Sequence, residues 1–137
     1  MGKRIHVLKK QPEYGSTEAF NWKQEEFKNL LDSLCCNVCG EEYSDNFECE
    51  KRNYERAIEI LKRFKKDGKD TKLSDLPTFE SDFSEPISNV IDFEQVQECL
   101  NDLWGSTDEM IDKIIKVMED FLEEADPDSG WISFSAW

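Results

Sequence analysis

The stretch Trp131-Ile132-Ser133-Phe134-Ser135-Ala136-Trp137 decides the fold. Bulky apolar side chains alternate along it with period two, the pattern of a strand that buries one face. An aromatic-rich strand at the end of a sequence is expected to be paired within a sheet. Just before it, Asp126-Pro127-Asp128-Ser129-Gly130 reads as a turn. Before that turn, Ser106–Ala125 places Met110, Ile111, Ile114, Met118, Phe121 and Leu122 at helical spacing.

Working outward, the same patterns predict three more helices. Asp92 with Gln95 opens one that buries Phe93, Val96, Leu100 and Leu103, with Trp104 at its edge and Gly105 fitting a left-handed stop. Ser106 and Glu109 form a capping box for the last helix. A helix over about 46–66, capped by Asp45 with Glu48 and ended by Gly68, aligns Tyr54, Ala57, Ile58, Leu61 and Phe64. Its outer face would carry Arg52, Arg56, Arg63 and Lys66. A helix over 22–35, capped by Asn21 with Gln24, buries Phe27, Leu30, Leu31 and Leu34.

Ile5–Lys9 reads as a strand, and Glu41–Tyr43 as a short extended segment. Between about 67 and 91 the periodicity lapses around Pro77 and Pro86. Phe79, Phe83 and Ile87 suggest a long connection that packs at intervals. The expected fold is α+β and mostly helical: about four amphipathic helices on a small sheet containing the N- and C-terminal strands, paired antiparallel. At 137 residues the whole chain, 1–137, reads as a single domain.

Composition bounds the function. Against 17 basic residues stand 31 acidic ones, a net charge of −14. Residues 1–49 hold six basic and nine acidic side chains, 50–72 hold nine and five, and 73–137 hold two and seventeen. Such a chain repels nucleic acid and anionic lipid, so both are unfavoured partners, although a basic helix beside an acidic half would give a dipolar surface. No run of about 18 apolar residues offers a membrane span, and the first residues lack the apolar stretch of a signal peptide. Five cysteines, with Cys35 and Cys36 adjacent, suit free thiols in a reducing compartment, so the expected location is cytoplasmic.

No motif names a reaction, and no cofactor is expected. Cys36-Asn37-Val38-Cys39-Gly40 has the form of a zinc knuckle, with Cys49 as a third candidate ligand, but the second pair of a four-ligand site is missing. Semi-buried thiols at a helix end are the simpler account. His6, the one histidine, belongs to no catalytic constellation and reads as a half-solvated strand residue. Asp126–Gly130 lacks the acids of a calcium loop. Phosphate-binding glycine loops are missing as well.

The sharpest irregularity is a crowd of acids, Glu119, Asp120, Glu123, Glu124 and Asp126, at the end of the last helix. The helix dipole disfavours anions there by about 0.3–1 kcal/mol each. Sequences break local rules most often where function asks for it. If Ile132, Phe134 and Ala136 face the helices, Trp131 and Trp137 share the outer face of the terminal strand. These seven residues form the candidate surface of a non-enzymatic protein–protein interaction module that binds a basic partner. Toxin-neutralising immunity proteins and nucleic-acid mimics share this charge and size, but no motif. A zinc-stabilised domain, or a small enzyme with a site in 67–91, are the alternatives.

Overall fold

The computed structural model describes residues 2–10, 13–40, 45–72 and 91–137. Its strands are β1 (Ile5–Lys10), β2 (Glu13–Tyr14), β3 (Asn46–Glu50) and β4 (Trp131–Ala136). Its helices are α1 (Gln24–Ser33), α2 (Lys51–Asp67), α3 (Phe93–Leu103) and α4 (Asp108–Glu124). The architecture is α+β, with the antiparallel sheet order β2-β1-β4-β3.

The strands nearest the two ends of the sequence form the middle of this sheet. Ile5 pairs with Ala136, His6 with Ser135 and Val7 with Phe134. The ladder continues one step further, where Arg4 and Trp137 exchange backbone hydrogen bonds of 2.8 and 3.0 Å. Period two then sorts the side chains. Ile5, Val7, Phe47, Cys49, Ile132, Phe134 and Ala136 are buried and join one core with apolar residues of all four helices. At its centre the Phe134 ring lies 5.1 Å from Phe47, 5.4 Å from Phe121 and 5.5 Å from Phe27. The buried Tyr54 hydroxyl donates to the Met118 carbonyl at 2.8 Å, tying α2 to α4.

Several sequence expectations need correction. Residues 46–50 form a strand and not the first turn of a helix: Phe47 and Cys49 are buried while Asn46, Glu48 and Glu50 point away from the core. The Asp45–Glu48 capping box therefore does not form; Asp45 pairs with Lys3 at 2.5 Å instead. Asn21 does not cap α1 either, because its side chain accepts from the Lys3 N–H at 2.7 Å. Helix α4 is capped one residue later than expected, by Thr107, whose hydroxyl accepts from the Met110 N–H. Asp92 caps α3 as read, accepting from the Glu94 N–H. Arg56 is buried rather than solvated and donates to the Cys35 carbonyl at 3.0 Å.

Gly68 stops α2 at φ +61° and Gly105 stands at φ +140°, conformations that favour glycine. Past Gly68 the connection begins with a 3-10 turn, Gly68–Asp70. The extended segment expected at 41–43, and Phe79, Phe83 and Ile87 of the long connection, lie outside the described residues.

Candidate functional site

The helices take one face of the sheet, so the residues of opposite parity make up the other. Trp131, Ser133, Ser135 and Trp137 of the terminal strand share this outer face with Asn46, Glu48 and Glu50 of β3. On the opposite flank Tyr14 of β2 is paired with Leu8 of β1. Tyr14 is 40% exposed, Trp131 40% and Trp137 54%. Large aromatics this open to water forgo part of the roughly 1.5–3 kcal/mol that full burial of a large apolar side chain contributes.

Trp137 lies flat on His6, with ring centroids 3.7 Å apart and planes 10° from parallel. Tyr14 stands edge-on to the same indole at 4.9 Å. His6 is thereby only 7% exposed, which corrects its reading as a half-solvated residue. Its Nε2 lies 3.2 Å from a Glu18 carboxylate oxygen, and its Nδ1 is buried with no partner among the described residues. The stack on Trp137 and the Glu18 contact hold the imidazole in place, and no nucleophile is paired with it among the described residues.

Beside this aromatic ridge runs a groove of about 320 Å³. Tyr14 lines one side of it, Cys39 and Gly40 another, and Asn46, Glu48 and Ser133 contribute polar groups. The Ser133 hydroxyl donates to Glu48 at 3.0 Å, and the Ser135 hydroxyl to Asn46 at 2.6 Å. Glu48 takes no cation among the described residues, whereas nearby Glu50 holds Arg52 at 2.6 Å. Cys39 sits at the sheet edge because its backbone exchanges two hydrogen bonds with Glu48, at 2.8 and 2.9 Å.

The acidic end of α4 disperses. Glu119 and the exposed Glu123 line a cleft between α2 and α4 with Glu55 and Glu59, and Lys62 lies 3.5 Å from Glu119. Asp120 accepts from Lys116 at 2.6 Å. Glu124 turns back onto β2's connection, where its carboxylate accepts from the Ser16 N–H at 2.5 Å, the Thr17 N–H at 2.8 Å and both hydroxyls. Asp126 shapes the turn before β4: its side chain accepts from the Asp128 N–H at 2.9 Å and its carbonyl from Lys51 at 2.6 Å. Of the seven candidates, Trp131 and Trp137 share one surface, Glu119 and Glu123 another, and Asp120, Glu124 and Asp126 are engaged within the chain.

The cysteines diverge in the same way. Cys36 and Cys49 are fully buried neighbours, and burial first, then the Cys49 thiol, pushes the Cys36 thiol well up. Cys39 is exposed. The CxxC pair thus points two ways. Among the described residues no group of three histidine, cysteine or acidic side chains is placed to hold a metal ion. Nor is any described helix long and apolar enough to cross a membrane.

Sequence reasoning missed Tyr14, Asn46 and Glu48, and left Ser133, on the same strand face as the tryptophans, out of the candidate set. Glu48 was hidden by the capping-box pattern that assigned it to a helix. Comparison with known proteins adds no family: no family model, curated protein or solved structure matches the chain.

Proposed function

We propose that the protein is a non-enzymatic protein–protein interaction module, cytoplasmic, that docks a basic partner on the outer face of its sheet. One observation carries the reading: Tyr14, Trp131 and Trp137 are exposed on that face, beside carboxylates, in a chain of net charge −14. Tryptophan and tyrosine dominate the energetic centres of interfaces because they bury large area at small entropic cost. The surrounding negative field speeds the approach of a basic surface and rejects acidic ones. Five free cysteines support the reducing compartment.

The test uses the full chain and an array of basic, neutral and acidic peptides, read by tryptophan fluorescence and anisotropy. Basic peptides are expected to bind, and the Trp131→Ser/Trp137→Ser double variant to lose at least about tenfold in affinity, as for two moderate anchors. Circular dichroism establishes that the variant is folded. Undiminished binding of basic peptides to that folded variant, or a preference for acidic peptides, would overturn the reading.

A further inference from the structure

The groove beside Tyr14 has a chemistry more specific than general acidity. We infer that it receives an arginine side chain of the partner, with the guanidinium on the Glu48 carboxylate and its plane against the Tyr14 ring. This rests on the docking reading above and names the group that the sheet face selects.

Three observations point to it. The first is size. A volume of about 320 Å³ stands at the lower end of ligand clefts, enough for one long side chain and its water but small for a cofactor. The second is charge. Three of the basic residues around the sheet are already matched: Lys3 holds Asp45 at 2.5 Å, Arg4 lies 4.0 Å from Glu18, and Arg52 holds Glu50 at 2.6 Å. Glu48 is left with the Ser133 hydroxyl, at 3.0 Å, and with no cation among the described residues. That hydroxyl holds the carboxylate in place before any partner arrives, so little side-chain entropy remains to be lost on binding.

The third is shape. Tyr14 and Glu48 line the same groove, one offering an aromatic face and the other two acceptor oxygens. A guanidinium is planar, stacks on rings and meets a carboxylate with two parallel N–H donors. An ammonium is a strongly hydrated point charge and gains less from either neighbour. The arrangement therefore separates arginine from lysine, which net charge alone does not.

The experiment titrates isotope-labelled full-length protein with N-acetyl-arginine amide and, separately, N-acetyl-lysine amide, following backbone amides by NMR. Arginine amide is expected to shift Cys39, Glu48, Ser133 and Ser135. Lysine amide, and the Glu48→Gln and Tyr14→Leu variants, should each show binding weaker by about fivefold, the scale of an exposed charge-assisted pair. Gln keeps an acceptor for Ser133, so the groove stays built.

Equal shifts from the two probes would overturn the inference, as would shifts that survive Glu48→Gln. Shifts confined to Glu55, Glu59, Glu119 and Glu123 would send the guanidinium to the helix cleft and overturn it too. Concentration-dependent broadening of the sheet amides with no probe present would make a second copy the occupant and overturn it. The two readings fail separately. Basic peptides that bind through Trp131 and Trp137 without arginine preference leave docking intact and remove the groove's selectivity. Arginine amide entering the groove while no basic peptide binds does the reverse.

Discussion

Glu124 shows how a residue that breaks a local rule can serve the fold. An anion at a helix C-terminus faces the negative end of the dipole, which costs about 0.3–1 kcal/mol. Four donors from Ser16 and Thr17 converge on this carboxylate and outweigh that cost. The approach is close enough that a Cβ on Gly15 would come within 2.5 Å of the Glu124 Oε2 atom. The segment joining β2 to α1 is thereby fastened to α4, more than 100 residues away in sequence. Glu124→Ala should therefore lower stability by about 1–2 kcal/mol in urea unfolding, a charge-assisted anchor discounted for its partial exposure. Glu124→Gln, which keeps an acceptor, should lose less. An alanine variant within about 0.3 kcal/mol of the parent would mean that the latch contributes nothing. At the same scale the sequence allowed Glu119 and Glu124 to be read as equivalent; only the fold separates an exposed acid from a half-buried anchor.

At the scale of elements, the period-two and period-3.6 patterns were legible wherever each ran alone. The terminal strand and the helices α1, α3 and α4 could be read from single stripes of Phe, Leu, Ile and Met. The reading failed at residues 45–51, where a strand passes into a helix with no intervening turn. Asp45 and Glu48 have the spacing of a capping box, and Phe47 continues helical spacing toward Tyr54 and so disguises its alternation with Cys49. The pairing partner decides the matter. Phe47 sits opposite Phe134 and Glu48 opposite Ser133, an alignment that no local window contains. Inward and outward positions of β4 should consequently respond very differently to truncation. Phe134→Ala removes the ring that Phe27, Phe47, Tyr54 and Phe121 surround, and should cost about 3–5 kcal/mol. Ser135→Ala, one residue on and facing outward, should stay within about 1 kcal/mol. Comparable losses from the two variants would contradict the parity on which the candidate site rests.

At the scale of the molecule, the charge segregation seen along the sequence is partly offset where helices α2 and α4 meet. The basic stretch 50–72 becomes α2 and packs beside α4, the acidic helix. Lys62 lies 3.5 Å from Glu119, and Lys65 lies 2.7 Å from Asp112. The hydrogen bond that Lys65 donates to the Asp112 carboxylate holds its ammonium above the usual lysine range, as the bond donated to Asp120 does for Lys116. Part of the basic charge is thus paired with neighbouring acids, and the excess of 31 acidic over 17 basic side chains leaves a net charge of −14. Exposed ion pairs contribute little, roughly 0–1 kcal/mol each, whereas self-repulsion in a chain this charged opposes compactness throughout. Salt weakens both, reducing the Debye length from about 10 Å at 0.1 M to about 3 Å at 1 M. Repulsion is the larger of the two, because the acids outnumber the available bases. The melting temperature should therefore rise by a few degrees, about 2–4 °C, between low salt and about 0.5 M sodium chloride at pH 7, as a gain of up to about 1 kcal/mol in a chain this size implies. A fall over the same range would assign the larger share to the α2–α4 ion pairs and would weaken the case for a long-range negative field. A rise, matched by slower association of basic peptides in the same buffers, would tie the stability of the fold and the attraction of its partner to one excess of charge.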